Sequence, residues 1–172
     1  SGVGYAFHNY LPNRKAFAKK TAQAMKVSNL SVVTLLNSGG NMTQARELLE
    51  HPNVLGAVYK DYAPYHKRRG ALDWHNGKPC LSHRYLLWEG MKGASPKEVA
   101  AAIKKLPASP ATDPNSYALV NVHAWSWDSI GGPMNAIKQT IDLLPSGTRF
   151  VTASQLLGLL GRHHSEGGRE RK

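Results

Sequence analysis

The chain has 172 residues, of which 41% are hydrophobic and 19% are charged, a composition typical of one globular domain with a substantial core. No apolar run approaches the ~20 residues that a membrane-spanning helix requires, so we expect no insertion into a membrane. The single cysteine, Cys80, excludes an internal disulfide framework and a zinc site built from several cysteines.

The formal net charge of +11 raises the question of nucleic-acid binding. The basic residues include a cluster at 66–69 and a Gly-rich tail at 162–172, which we expect to be disordered. The sequence contains no helix-turn-helix pattern, no aromatic RNA-binding signature and no zinc-finger spacing. Specific binding to nucleic acid is therefore not the favoured function.

Strand-like and helix-like segments alternate along the chain. β-branched apolar runs predict buried strands, and Asn41 and Ser95 are the predicted N-caps of two helices, with Glu98 completing a capping box. The dipeptide Asn76-Gly77 predicts the turn of a β-hairpin. In chain order, the predicted elements are helix 17–28, strand 30–37, helix 42–51, strand 54–61, hairpin 71–81, strand 81–88, helix 95–106, strand 117–125, helix 132–144, strand 148–152 and helix 153–162.

The repeated strand–helix order predicts a single α/β domain over residues 1–161, with a mostly parallel sheet and a small hairpin insertion. Ligands bind such sheets beyond the carboxyl ends of the strands. Polar and aromatic side chains follow the predicted strands, and the N-terminal stretch adds two more. These candidate site residues are Tyr5, His8, Asn37, Asp61, Tyr62, Arg84, Trp88, His123 and Trp125.

Three of these candidates come at the ends of three different predicted strands. We expect Asp61, Arg84 and His123 to converge at the carboxyl end of one parallel sheet. An arginine among apolar strand residues needs a carboxylate partner or a ligand. Asp61 is the natural partner, and a structural ion pair is as good an explanation of Arg84 as substrate binding.

Five segments, taken in order, resemble the C-terminal domain of the GxGYxYP glycoside hydrolase family. They are "SGVGYAFHNYLP", "VYKDYAPY", "GKPCLSHRYLLW", "SYALVNVHAWSW" and "DLLPSGTRFVTASQLLGLL". The motif that names the family maps onto Gly2, Gly4 and Tyr5, whereas Phe7 and His8 replace its second Tyr and its Pro. The resemblance implies a β/α barrel-like fold and a secreted or periplasmic protein of bacterial carbohydrate utilisation.

A complete β/α barrel needs about 250 residues, more than this chain has. We therefore expect a partial barrel whose remaining strands precede Ser1. The alternative is an open sheet that is whole as it stands.

Glycoside hydrolysis requires two carboxyl groups. Asp61 is the first candidate and Asp128, which follows "HAWSW", is its candidate partner, although each residue also fits a turn or a helix cap. Glu89 and Asp73 are weaker candidates because they stand beside turns. His123 is the candidate acid or base.

Two other functions remain open. One is a non-catalytic carbohydrate-binding protein. The other is a metal-dependent enzyme that resembles polysaccharide deacetylases, with ligands drawn from His8, His83, His123 and Asp61. These residues lack close metal-ligand spacing, so we expect neither a metal nor another cofactor.

The four tryptophans suit either a sugar site or the core, because an indole face packs well against a pyranose ring. We expect Trp88 and Trp125 to be sugar-stacking platforms and two of the four tryptophans to be core residues. Since Trp125 lies beyond the apolar run of its strand, its indole should be partly exposed.

Overall fold

The computed structural model describes Gly4, residues 6–62 and residues 68–165. The helices are α1 (Arg14–Val27), α2 (Arg46–Leu49), α3 (Pro96–Ile103), α4 (Pro133–Asp142) and α5 (Ala153–His164). The strands are β1 (Val32–Asn37), β2 (Gly56–Asp61), β3 (Leu72–His75), β4 (Lys78–Ser82), β5 (Tyr85–Leu87) and β6 (Val120–Val122). Short 3₁₀ helices lie at His8–Tyr10, Met42–Ala45, Pro114–Ser116 and Asp128–Ile130.

The chain divides into two compact units. The larger unit comprises the residues up to Ser82 together with those from Val151 onwards, and the smaller unit is His83–Phe150. The first and the last described segments therefore both belong to the larger unit.

The larger unit contains a four-stranded sheet in the order β1-β2-β4-β3. The strands β1, β2 and β4 are parallel, and β3 is antiparallel at one edge. The predicted α/β class with a mostly parallel sheet is thus confirmed. The described strands form no closed barrel, and the barrel-like part of the prediction stays a prediction.

The predicted hairpin is present as β3 and β4. Its turn residues Asn76 and Gly77 have φ values of 51° and 70°, the left-handed conformations that a two-residue type I′ turn requires. The hairpin is not an insertion, however, because β4 also pairs with β2 as the third parallel strand.

The predicted strand 81–88 is wrong as one element, since it breaks after Ser82. The backbone N–H of Ser82 donates to Ala71 O, whereas that of Arg84 donates to Leu119 O. This change of hydrogen-bond partner ends β4 and starts β5.

The two faces of the larger sheet are covered by different helices. On one face, Ala57 and Tyr59 of β2 belong to a buried core that also contains Ala18 and Met25 of α1. Successive residues of a strand point to opposite faces, so Gly56 points the other way, towards α5. A Cβ on Gly56 would lie 3.0 Å from Leu157 Cδ1 of α5. Because glycine has no side chain, α5 can pack closely against β2 at this position.

The smaller unit contains the parallel pair β5–β6 and the packed helices α3 and α4. Leu87, Val99, Trp127 and Ala136 form its buried cluster. The predicted capping box of α3 is confirmed, because Ser95 Oγ accepts from the backbone N–H of Glu98. The Asn41 cap is also confirmed, at the start of the Met42–Ala45 turn.

The predicted strand 148–152 is wrong. The described residues there form no strand, Phe150 is exposed, and Thr152 is the N-cap of α5. α5 continues to His164, two residues beyond its predicted end. Residues 66–67 of the basic cluster and 166–172 of the tail lie outside the described residues.

None of the helices in the described ranges has the length and apolar character that crossing a bilayer requires.

Replacing Gly77 with alanine should lower the free energy of unfolding by about 1–2 kcal/mol, since a side chain is strained at a φ of 70°. Gly161 in α5 is the matched control. Apart from Gly161 itself, its two chain neighbours and the nearby helix backbone, no described atom lies within 4 Å of a Cβ added there. Alanine favours the helix, so Gly161→Ala should be stabilising by about 0.5–1 kcal/mol. Urea unfolding monitored by circular dichroism measures both changes. A Gly77→Ala protein with unchanged stability would contradict the hairpin turn.

Candidate functional site

Asn37 and Asp61 lie side by side at the carboxyl ends of β1 and β2, where they are register partners. Asn37 is 0% exposed. Its Oδ1 accepts from the backbone N–H of Asn9 at 3.1 Å, and its Nδ2 donates to Gln44 Oε1 at 2.7 Å. The Asn37 side chain, which was predicted to bind substrate, is thus fully buried. It joins β1 to the segments that contain Asn9 and Gln44.

The Asp61 carboxylate is held at both oxygens. Oδ1 accepts from the backbone N–H of Gly39 at 2.8 Å, and Oδ2 accepts from the Tyr59 hydroxyl at 3.1 Å. Burial, together with the neighbouring Asp61, raises the pKa of Tyr59 to about 12. Tyr59 therefore keeps its proton at neutral pH and serves as a donor that fixes the orientation of the carboxylate.

His8 is buried and connects the N-terminal 3₁₀ helix with α2. Its Nε2 lies 3.0 Å from Glu47 Oε2, and the other oxygen of Glu47 accepts from Arg14 Nε at 3.0 Å. Burial lowers the pKa of His8, which favours a neutral ring that donates through Nε2. The predicted substrate-binding residue His8 is thus part of a buried network.

An aromatic ledge, formed by Phe7, Tyr10 and Tyr62, borders this end of the larger sheet. The rings of Phe7 and Tyr62 are 5.8 Å apart, and Tyr62 is 53% exposed. Lys60 Nζ lies 5.3 Å from the centre of the Tyr62 ring. Tyr62 was predicted from its strand end, whereas the contribution of Tyr10 was missed. Tyr5 lies outside the described residues.

A second group of site residues occupies the carboxyl ends of β5 and β6 in the smaller unit. The rings of Trp88 and His123 are stacked, with centroids 3.7 Å apart and planes 9° from parallel. Trp125 forms a T-shaped contact with His123, with ring centroids 5.6 Å apart and planes at 75°. Trp125 is 85% exposed, which confirms its predicted exposure.

Two serines connect this stack to Glu89. Ser126 Oγ lies 2.8 Å from His123 Nδ1 and accepts from the backbone N–H of Glu89 at 3.3 Å. Ser129 Oγ donates to the Glu89 carboxylate. From its place beside a turn, Glu89 is a weaker candidate in the sequence than Asp128, which is exposed on the 3₁₀ helix Asp128–Ile130. The missed signal is the pair of serines, Ser126 and Ser129, placed three positions apart.

A pocket of about 230 Å³ lies beside these residues, entirely within the smaller unit. Its walls include Trp88, Glu89, Met91, Trp127, Ile130 and Gln139. Trp127 is 4% exposed, and its indole N–H has no acceptor among the described residues. Trp127 alone of the four tryptophans is buried, whereas two had been expected in the core.

The predicted convergence of Asp61, Arg84 and His123 on one sheet is wrong. Asp61 ends a strand of the four-stranded sheet, whereas Arg84 and His123 flank the β5–β6 pair. Because the predicted strand 81–88 breaks, Arg84 precedes β5 while His123 follows β6, and the two residues lie at opposite ends of a parallel pair. The Arg84 guanidinium donates to the backbone oxygen and to Oδ1 of Asn115, each at 3.2 Å.

In the described ranges, no three His, Cys, Asp or Glu side chains form a group that could hold a metal ion. The ligand set considered for a deacetylase-like enzyme is therefore not assembled there.

The sequence matches a known protein family. The family model described as "GxGYxYP putative glycoside hydrolase C-terminal domain" matches residues 1–160. The chain belongs to the GxGYxYP family. No curated protein matches the sequence.

The GxGYxYP domain is also similar to a solved structure described as a putative hydrolase from Bacteroides thetaiotaomicron VPI-5482. The two share 24% sequence identity and superpose with a TM-score of 0.83 over 96% of the present chain. The match covers 32% of the Bacteroides chain, so the GxGYxYP domain spans about a third of that protein. At this level of identity, the likeness establishes a common fold.

Asn37→Ala should lower the free energy of unfolding by about 2 kcal/mol or more, because it removes the acceptor of the Asn9 N–H and one donor to Gln44 Oε1. Thr34→Ala, at an exposed position of the same strand, is the control and should change stability by less than about 0.5 kcal/mol. Thermal and urea unfolding measure both variants. Equal stability of the two would argue against the structural role of Asn37.

Proposed function

We propose that this GxGYxYP domain is the carbohydrate-active part of a glycoside hydrolase and that it binds an oligosaccharide beyond the carboxyl ends of its parallel strands. The observation that carries this proposal is the exposed Trp125 indole beside the stacked Trp88–His123 pair and the Glu89 pocket. The family description supports the hydrolase class. A secreted or periplasmic site of action, implied by the family resemblance, belongs to the same proposal.

Trp125 suits a sugar-stacking role because it contributes little to the core. An indole that is 85% exposed has most of its apolar face available to a ligand. Covering that face with the apolar face of a pyranose ring removes it from water, which favours binding. The T-shaped contact with His123 favours one orientation of the Trp125 ring before a ligand arrives.

His123 is proposed as the polar partner of the sugar at this platform. Its ring is held by the Trp88 stack and by the bond between Nδ1 and Ser126 Oγ. Nε2 forms no hydrogen bond with the described residues. It is the nitrogen available to bond a hydroxyl or to transfer a proton.

Each of the two units contains candidate catalytic carboxylates. In the larger unit, Asp61 is the candidate nucleophile or base, because its two hydrogen bonds present it in one orientation. In the smaller unit, Glu89 lines the pocket and the exposed Asp128 is adjacent to the pocket residue Ser129. Hydrolysis at either place needs an acid that protonates the leaving oxygen and a second carboxylate that attacks or activates water.

A non-catalytic carbohydrate-binding role is the second candidate. It is favoured by the fact that both oxygens of Asp61 already accept hydrogen bonds within the protein. The Trp125 platform would bind a sugar without any contribution from that carboxylate.

Trp125→Ala should weaken oligosaccharide binding at least fivefold, by about 1 kcal/mol, while leaving the melting temperature nearly unchanged. The control is Trp127→Ala, which removes a buried indole and should cost about 3–5 kcal/mol of stability. Titration calorimetry against an oligosaccharide panel and differential scanning calorimetry separate the two effects. A large drop in melting temperature with unchanged affinity for Trp125→Ala would show that this residue serves packing.

Substitution of a catalytic carboxylate should lower the rate of glycoside hydrolysis by about 10²–10⁴-fold. The variants are Asp61→Asn, Glu89→Gln and Asp128→Asn, with release of reducing ends from the same panel as the measurement. Asp142→Asn is the control, because Asp142 is exposed on α4 and pairs only with Lys138 among the described residues. Hydrolysis that survives all three substitutions would exclude these carboxylates, and binding without hydrolysis would favour the second candidate.

A further inference from the structure

The pocket of the smaller unit differs in charge from the rest of the chain. The sequence has 22 Lys and Arg residues but only 11 Asp and Glu residues. Within the described chain, the pocket is lined by no Lys, Arg or His, and Glu89 is its one charged residue. A strongly basic protein therefore has a candidate sugar pocket whose formal charge is negative.

The remaining walls favour an uncharged ligand. Met91, Trp127 and Ile130 supply apolar surface. Gln139 is exposed on α4, and its side chain forms no hydrogen bond with the described residues. Its amide offers both a donor and an acceptor to a sugar hydroxyl. Neutral sugars combine apolar ring faces with hydroxyl groups and match this lining.

A carboxylated sugar would meet a different environment. Its carboxylate would come close to Glu89 with no cation in the pocket wall to compensate, and like charges at short range disfavour binding. The net charge of +11 attracts acidic glycans to the surface as a whole, but salt screens that long-range attraction more than a short contact.

We infer that the Glu89 pocket selects neutral sugar units and rejects uronic acids. The inference rests on the proposed function, because it assumes that the pocket takes a sugar. It adds that selectivity arises from Glu89 together with the absence of a basic residue from the described pocket wall.

The test compares neutral oligosaccharides with their C6-oxidised uronate counterparts of the same linkage and length. Affinities are measured by titration calorimetry with the whole chain in 0.3 M NaCl, where charges beyond a few ångströms are screened. Oxidation should weaken binding at least tenfold, which corresponds to about 1.4 kcal/mol. Glu89→Gln should reduce this difference to threefold or less.

A second variant tests charge selection by the pocket without altering Glu89. Gln139→Lys adds a cation to the pocket wall on an exposed position of α4 and should tighten uronate binding at least fivefold. Gln23→Lys makes the same change on an exposed position of α1 and should leave the ratio of affinities unaltered. Circular dichroism shows whether each variant is folded.

The outcomes separate the two proposals. Uronates that bind as tightly as neutral sugars in 0.3 M NaCl, or a ratio that neither pocket variant changes, would overturn charge selection while leaving carbohydrate binding intact. If no oligosaccharide of either kind binds, the proposed function fails, and charge selection fails with it.

Discussion

The buried amide of Asn37 is the constraint on which one end of the larger sheet depends. A fully buried amide must satisfy its donors and acceptors inside the protein, and Asn37 does so by joining Asn9 and Gln44 to the end of β1. Its backbone oxygen accepts from Tyr62 N–H, which ties the residue after β2 to the same point. Gly40 completes the arrangement, since a Cβ there would lie 2.3 Å from Asn37 Nδ2. Asn37 thus connects, through its side chain and its backbone, β1 to the segments that carry Tyr10 and Tyr62 of the aromatic ledge.

Local sequence signals predicted those parts of the fold that local interactions determine. The side chains of Asn41 and Ser95 cap helices by accepting from the backbone N–H groups of Thr43 and Glu98. Asn76-Gly77 supplies the left-handed conformations of the hairpin turn. The break after Ser82 could not be predicted, because it follows from the pairing of β5 with β6, whose partner residues are 35 positions apart. The segment 148–152 contains residues typical of strands, yet propensity forms no strand without a pairing partner.

The same distinction applies to the candidate site. His123 and Trp125 follow the apolar run of a predicted strand, and from this the exposure of the Trp125 indole was predicted. The sequence did not predict that Trp88 would stack on His123, because the two residues meet only through the pairing of β5 with β6. Nor did it predict the burial of His8, whose partner Glu47 lies on another element. A polar residue beside a predicted strand end does not reveal whether its partners come from the protein or from a ligand.

The larger unit is built from two separate parts of the chain, and this affects how it folds during synthesis. The sheet strands of the larger unit are complete at Ser82, but α5, which packs against Gly56, begins only at Ala153. About 70 residues must be made in between, which takes roughly 4–14 s at ribosomal rates of 5–20 residues per second. For that time this face of the sheet lacks α5. The nascent protein therefore passes through a stage in which an apolar sheet face is open to chaperones or to aggregation.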